Sequence, residues 1–212
     1  MTKDRNSEDS RQKILDVSRK LFLEKGYDNT SIQDIVNGLG GMTKGAIYHY
    51  FNSKFDIFET IANSPEELNW GDNWVGNTGL EKIRNKIISS LSAHEMQAIF
   101  YSAAVTLKSP RMIGEQYLEN INTAVPMIEV YVKEGLKDGS IKTKYPTEVA
   151  ELTILTFNML IGIRIFDFTK EEFMRKIYFI KDLFEGLGIE LVNSEVLDSA
   201  KRLITYLKEK NC

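Results

Sequence analysis

The sequence predicts an all-α chain of two helical bodies, and three observations carry that prediction. Nearly every segment repeats its apolar residues at helical period, and no stretch shows the strict alternation of a strand. The longest apolar run, "LTILTFNMLIGIRIF" from Leu152 to Phe166, contains Asn158 and Arg164. It falls short of the roughly 20 residues a membrane span needs and reads as a buried helix. Between residues 64 and 79, "SPEELNWGDNWVGNTG" interrupts the pattern with proline, asparagine and glycine. That stretch marks the boundary between a first body, residues 1–62, and a second, residues 63–212.

The first helix spans Ser10 to Lys25, with Ile14, Leu15, Ser18, Leu21 and Phe22 on one face and Gly26 as its stop. The second opens at "TSIQDI", where Thr30 and Gln33 have the spacing of a capping box. Ile32, Ile35 and Val36 form its buried side, and it ends near Asn37-Gly38. A third, short helix runs from the N-cap Thr43 to about Phe51. A fourth follows Asn52-Ser53 and turns Phe55, Phe58, Ile61 and Ala62 inward.

The boundary loop holds Trp70 and Trp74, a residue type that pins a loop to the fold or lines a ligand site. Past it, one helix places Leu80, Ile83, Ile87, Leu91, His94 and Ala98 on a single stripe. Another, Arg111 to Leu136, contains Pro126, which predicts a kink or break. The turn "KDGSIKTKYP" feeds a helix from Thr147 to Phe166. Helices over Lys170 to Leu187 and Ser194 to Lys210 follow, and there is no internal repeat.

Composition excludes several classes. The chain has 27% charged and 42% hydrophobic residues, which suits a folded globular protein. Its one cysteine, Cys212, is the last residue and cannot form an internal disulfide or a metal cluster. A reducing, cytoplasmic setting fits. No apolar core of a secretion signal appears in "MTKDRNSEDSRQK". Two histidines, no HExxH and no phosphate-binding loop give no support to an enzyme, a metal site or a cofactor. The net charge is −3, and the first 60 residues balance nine basic against nine acidic side chains. Nucleic-acid binding must therefore rest on where charges lie.

The stretch "GGMTKGAIYHYFNSKFDIF", Gly40 to Phe58, places them suggestively. On a helix, Ile47, Tyr50 and Phe51 fall on one side by the i, i+3, i+4 rule. Lys44 and Tyr48 share the other, beside Gly45, Ala46 and His49. Small residues at the helix start let it sit deep in a groove. Lys44, Tyr48 and Lys54 offer donors for phosphate oxygens. Thr30 and Thr43 sit at helix N-termini, where free N–H groups favour phosphate as well. On these residues alone the segment reads as a DNA-reading helix-turn-helix or as an ordinary helical corner.

The run "TSIQDIVNGLGGMTKGAIYHYFNSKFDIFETI" resembles the helix-turn-helix of the TetR family of bacterial repressors. The matching residues are Phe22, Gly26-Tyr27, Thr30, Ile32, Asp34-Ile35, Gly41, Thr43-Lys44-Gly45, Ile47-Tyr48, Tyr50-Phe51 and Ser53-Lys54, over about residues 10–60. One departure is an extra glycine in "VNGLGGMTKG", which a left-handed turn absorbs. The resemblance implies an N-terminal three-helix DNA-binding domain followed by a helical ligand-binding and dimerisation domain. It implies that Gln33, Thr43, Lys44, Gly45, Ala46 and Tyr48 touch DNA, and that Tyr48, His49 and Lys54 meet phosphates. Gln33 has capping as a rival role, and His49 that of a solvated surface residue.

A dimer surface is expected from the Leu152–Phe166 helix, apolar nearly all round. Leu152, Leu155, Met159 and Ile163 lie on one side; Ile154, Phe157, Ile161 and Ile165 lie on the other. The next helix, with Phe173, Ile177, Ile180 and Phe184 plus Met174, Tyr178 and Leu183, is similarly broad. Two such helices per chain would form a four-helix interface, the alternative being a wholly internal core helix. By the same resemblance the middle helices would house an effector, with His94, Met96, Ile99, Phe100, Tyr117 and Met159 as candidate lining or as plain core. The implied protein is a homodimeric regulator that binds a palindromic operator in double-stranded DNA, is released by a small lipophilic molecule and has no membrane partner. The alternative is a DNA-binding architectural or partner-recruiting protein with no effector, which a cavity-free middle region would favour.

Overall fold

The structure is a computed structural model that describes residues 2–62, 74–103, 110–163 and 167–210, with side chains from Ser7 onward. Among these residues every regular element is helical.

Helix α1, Thr2–Lys25, begins eight residues before the predicted start, since "TKDRNSED" holds no glycine or proline to stop it. It ends at Gly26, which takes φ +80° and donates its N–H to the Phe22 carbonyl at 3.0 Å. Helix α2 is Ile32–Leu39. Its cap corrects the sequence reading by one residue. Ser31, not Thr30, is the N-cap: its Oγ accepts from the Asp34 N–H at 3.1 Å. The Asp34 carboxylate, not Gln33, reaches back to the Ser31 N–H at 2.9 Å. Thr30 is buried and gives its hydroxyl proton to the Gly26 carbonyl at 2.8 Å. Helix α2 also runs past Asn37-Gly38, because Gly40 supplies the left-handed C-cap at φ 59°.

Helix α3, Lys44–Tyr50, is capped by Thr43, whose Oγ accepts from the Ala46 N–H at 3.2 Å. Helix α4, Lys54–Ala62, follows Asn52-Ser53. The Ser53 Oγ accepts from the Asp56 N–H at 3.0 Å, and the Asp56 carboxylate accepts from the Asn52 N–H at 2.7 Å. These four helices share a core that includes Ile14, Phe22, Ile35, Ile47, Phe51 and Phe58.

Trp70 lies outside the described residues, whereas Trp74 is buried and stacked on Tyr131 with ring centroids 4.5 Å apart. The predicted single stripe from Leu80 to Ala98 is two helices: α5, Gly79–Ser92, and α6, His94–Ser102. They part at Ala93, whose ψ of 58° is not helical. Helix α6 inserts Met96, Ile99 and Phe100 into the N-terminal core. Its Ser102 Oγ accepts from the Tyr27 N–H at 2.9 Å.

The break expected near Pro126 takes the form of a π-helical turn. Helix α7, Pro110–Glu119, leads into the turn Asn120–Ala124 (π1), then into α8, Val125–Asp138. Proline has no N–H for the carbonyl four residues earlier, and the Val125 N–H bonds to Asn120 O, five residues back. The helix predicted to reach Phe166 stops sooner. Helix α9, Pro146–Ile154, passes into a second π turn, Leu155–Leu160 (π2), and Gly162 then takes φ 68°. Ile165 lies outside the described residues.

Helices α10, Lys170–Gly186, and α11, Ser194–Lys210, agree with the sequence reading, and α10 opens on a Thr169–Glu172 capping box. Phe173, Ile177, Ile180 and Phe184 of α10 are fully buried in a second core with α5, α8, α9 and α11. No described helix is long and apolar enough to cross a membrane.

Candidate nucleic-acid interface and cavity

Helix α3 is anchored on one side and open on the other. Ile47 and the following Phe51 are buried in the N-terminal core. Lys44, Gly45, Tyr48 and His49 are exposed, and Ala46 is half-buried. Tyr48 keeps 46% of its surface in solvent, a large outward ring on a helix of seven residues. Lys44 Nζ stands 5.9 Å from the centre of that ring, at the outer edge of cation–π range. His49 is exposed with its ring edge-on to Tyr50 at 5.1 Å. Gln33 is exposed on α2 and donates to Asn37 Oδ1 at 3.0 Å, so its head is a surface group. The turn before α3 uses Gly40 and Gly41, both at positive φ, 59° and 146°.

Two predicted contacts face the wrong way for phosphate. The Thr30 hydroxyl points into the fold, as above. Lys54 Nζ donates to the carbonyls of Tyr27 at 2.7 Å and Thr30 at 2.8 Å, and lies 4.1 Å from the centre of the Tyr27 ring. Burial holds its ammonium below the usual lysine range. It braces the α1–α2 turn, where the Tyr27 carbonyl also accepts from the Thr30 N–H at 3.1 Å.

Between α4, α5, α6, α7, π1 and π2 lies a cavity of about 720 Å³. Of the predicted lining, Met96, Phe100 and Met159 border it. His94, Ile99 and Tyr117 do not. Ile99 is wholly buried in the N-terminal core, and Tyr117 is 45% exposed. His94 stacks on Tyr206 at 5.2 Å, and burial, then Arg202, lower its pKa. Its Nε2 has no partner among the described residues.

Sequence reasoning missed Asn120, Asn158 and Glu59, which also line the cavity. The available clue was an asparagine inside each of two apolar helical runs. Glu59 projects from α4 toward α7. Burial raises its pKa, and Glu115 and Asp56 raise it further. No three His, Cys, Asp or Glu side chains among the described residues converge as metal ligands.

Comparison with known proteins places this geometry. Residues 14–61 match the family of bacterial regulatory proteins, tetR family. The transcriptional repressor AcnR of Corynebacterium glutamicum is 21% identical over 140 residues, covering 66% of this chain and 73% of its own. The transcriptional regulator AcrR of Shigella flexneri is 42% identical over 55 residues, 26% of this chain and 25% of its own. A solved TetR-family regulator from Mesorhizobium loti superposes with a TM-score of 0.52 at 16% identity, over 96% of both chains, and so shares the fold. The N-terminal match, the alignment with a repressor beyond that domain and the shared fold agree: residues 14–61 are a regulatory domain of the tetR family, and the chain is a DNA-binding transcriptional regulator whose remaining helices share the fold of a TetR-family regulator.

Proposed function

We propose that the chain represses transcription as a homodimer on a palindromic operator and that a small apolar effector releases it. The observation that carries this reading is the outward face of α3: Lys44 and Tyr48 exposed beside Gly45, with Ile47 and Phe51 holding the helix from behind. A short helix with small residues at its start enters the major groove closely, and its lysine and tyrosine meet phosphates. Thr43, Ala46, His49 and Gln33 complete the contact set. Thr30 and Lys54 drop out of it, because their polar atoms serve the fold.

Residues 1–62 are the DNA-binding unit and residues 63–212 the effector and dimer unit in this reading. The cavity supports an effector over the architectural alternative, which needs no such space. Met96 and Phe100 belong to the N-terminal core and also border the cavity, which gives a ligand contact with the body that holds α3. An effector acts only through its different affinities for the DNA-bound and free arrangements.

The test is a gel shift on the DNA flanking the chain's own gene. Lys44→Ala with Tyr48→Phe should weaken binding to every duplex, because phosphate contacts carry no sequence preference. Unchanged operator affinity at moderate salt would mean that α3 docks by another face.

A further inference from the structure

The cavity holds an unusual polar knot. Asn120 opens π1 and is 3% exposed. Its Oδ1 accepts from Asn158 Nδ2 of π2 at 3.2 Å and from Gln116 Nε2 at 3.4 Å. Both lone pairs of that oxygen are thereby taken. Its Nδ2, with two hydrogens to give, is buried and has no acceptor among the described residues. Buried donors are nearly always satisfied, and an orphan one on a residue that borders a cavity points to a missing acceptor. Its setting agrees, since isolated π turns inside α-helices concentrate at functional sites. Here two of them, π1 and π2, are tied together by this asparagine pair.

The rest of the lining defines what surrounds that acceptor. Trp74, Ile83, Ile87, Leu91 and Phe157 supply an apolar wall. The charged lining among the described residues is three carboxylates, Glu59, Glu115 and Glu119, against Lys86. Arg111 offsets Glu115 at 2.8 Å, which leaves Glu59 and Glu119 against Lys86, so an anion placed there meets a net acidic wall.

We propose that this cavity takes an apolar organic molecule that carries a hydrogen-bond-accepting oxygen and no negative charge, with the Asn120 amide as its donor. The proposal rests on the effector reading above and adds its chemical class. Burial and the neighbouring carboxylates raise the Glu59 pKa, which is the electrostatic sign expected of a site that disfavours anions.

The experiment is titration calorimetry on the full chain with three probes of one shape: 2-acetylnaphthalene, 2-ethylnaphthalene and 2-naphthoate. The ketone should bind about tenfold tighter than the hydrocarbon, the scale of satisfying one buried donor, and the carboxylate should bind weakest. Asn120→Leu should bring ketone and hydrocarbon within about twofold of each other. Should that variant not fold, Asn120→Met keeps a weak sulfur acceptor for Asn158 and Gln116 while deleting the donor, and it too should lose the ketone preference. A hydrocarbon as tight as the ketone in the unmodified chain overturns the proposal. So does a tighter carboxylate, a ketone preference that survives the variants, or no binding of the ketone. Gel shifts with the same probes separate this from the regulator reading. Release of DNA by the carboxylate, without ketone binding, sinks the ligand class and leaves the regulator. Asn120-dependent ketone binding that never releases DNA keeps the ligand class and sinks effector release.

Discussion

Two lysines ten positions apart have opposite jobs. Lys44 is exposed on α3, whereas Lys54 holds two backbone carbonyls together. Lys54→Met should cost about 1–3 kcal/mol in urea unfolding, because it takes the donor from the partly buried Thr30 carbonyl and one of two donors from that of Tyr27. Lys44→Met should leave stability nearly unchanged and instead lower the salt slope of DNA binding by about 1. Asp34 is the other residue to test. Hydrogen bonds from Lys25, then Ser31, hold its carboxyl far below the usual aspartate value of 3.8. A folded-state pKa below the unfolded one means stability that is present above the unfolded value and lost as pH falls through the folded one. Asp34→Asn should therefore lower Tm at neutral pH, and the gap to the unmodified chain should narrow as pH drops below 3.8. Thermal melts across acid pH read this directly.

At the scale of elements, glycines set how closely helices meet. Gly40 is left-handed with nothing within 4 Å of a would-be Cβ, so a substitution there costs backbone strain alone. Gly40→Ala should cost about 1 kcal/mol, and Gly40→Asn less, since asparagine tolerates that conformation. Gly79 is limited by space instead. A Cβ would lie 2.2 Å from the Tyr131 carbonyl oxygen and 2.3 Å from the Gly135 nitrogen, on the backbone of α8. Gly79→Ala must push α5 off α8, at about 3 kcal/mol by denaturant unfolding. The helices themselves were legible, because periodicity, Thr43 and Gly26 are local signals. The Ser31 cap was not, since Thr30 and Ser31 are both capping types. What removed Thr30 was the Gly26 carbonyl, which takes its hydroxyl.

For the whole molecule, α6 joins the two cores and α10 offers a second face. Opposite its buried stripe, Tyr178 and Phe179 are 45% and 55% exposed. These apolar rings are the surface the proposed dimer would cover. Tyr178→Glu with Phe179→Glu should leave the helical content intact by circular dichroism and shift sedimentation at micromolar concentration to the monomer. A dimer that survives both charges would place the interface elsewhere.

By itself the sequence determined the all-α class, the order of most helices and the outward face of α3. Each of these follows from residues within a turn or two of one another, so period and residue type suffice. Tertiary structure alone decided that Lys54 serves carbonyls 24 and 27 residues away, that Asn158 meets Asn120 across 38 positions, and which candidates border the cavity. The fate of a polar atom depends on what distant chain is packed against it, and no local pattern records that neighbour.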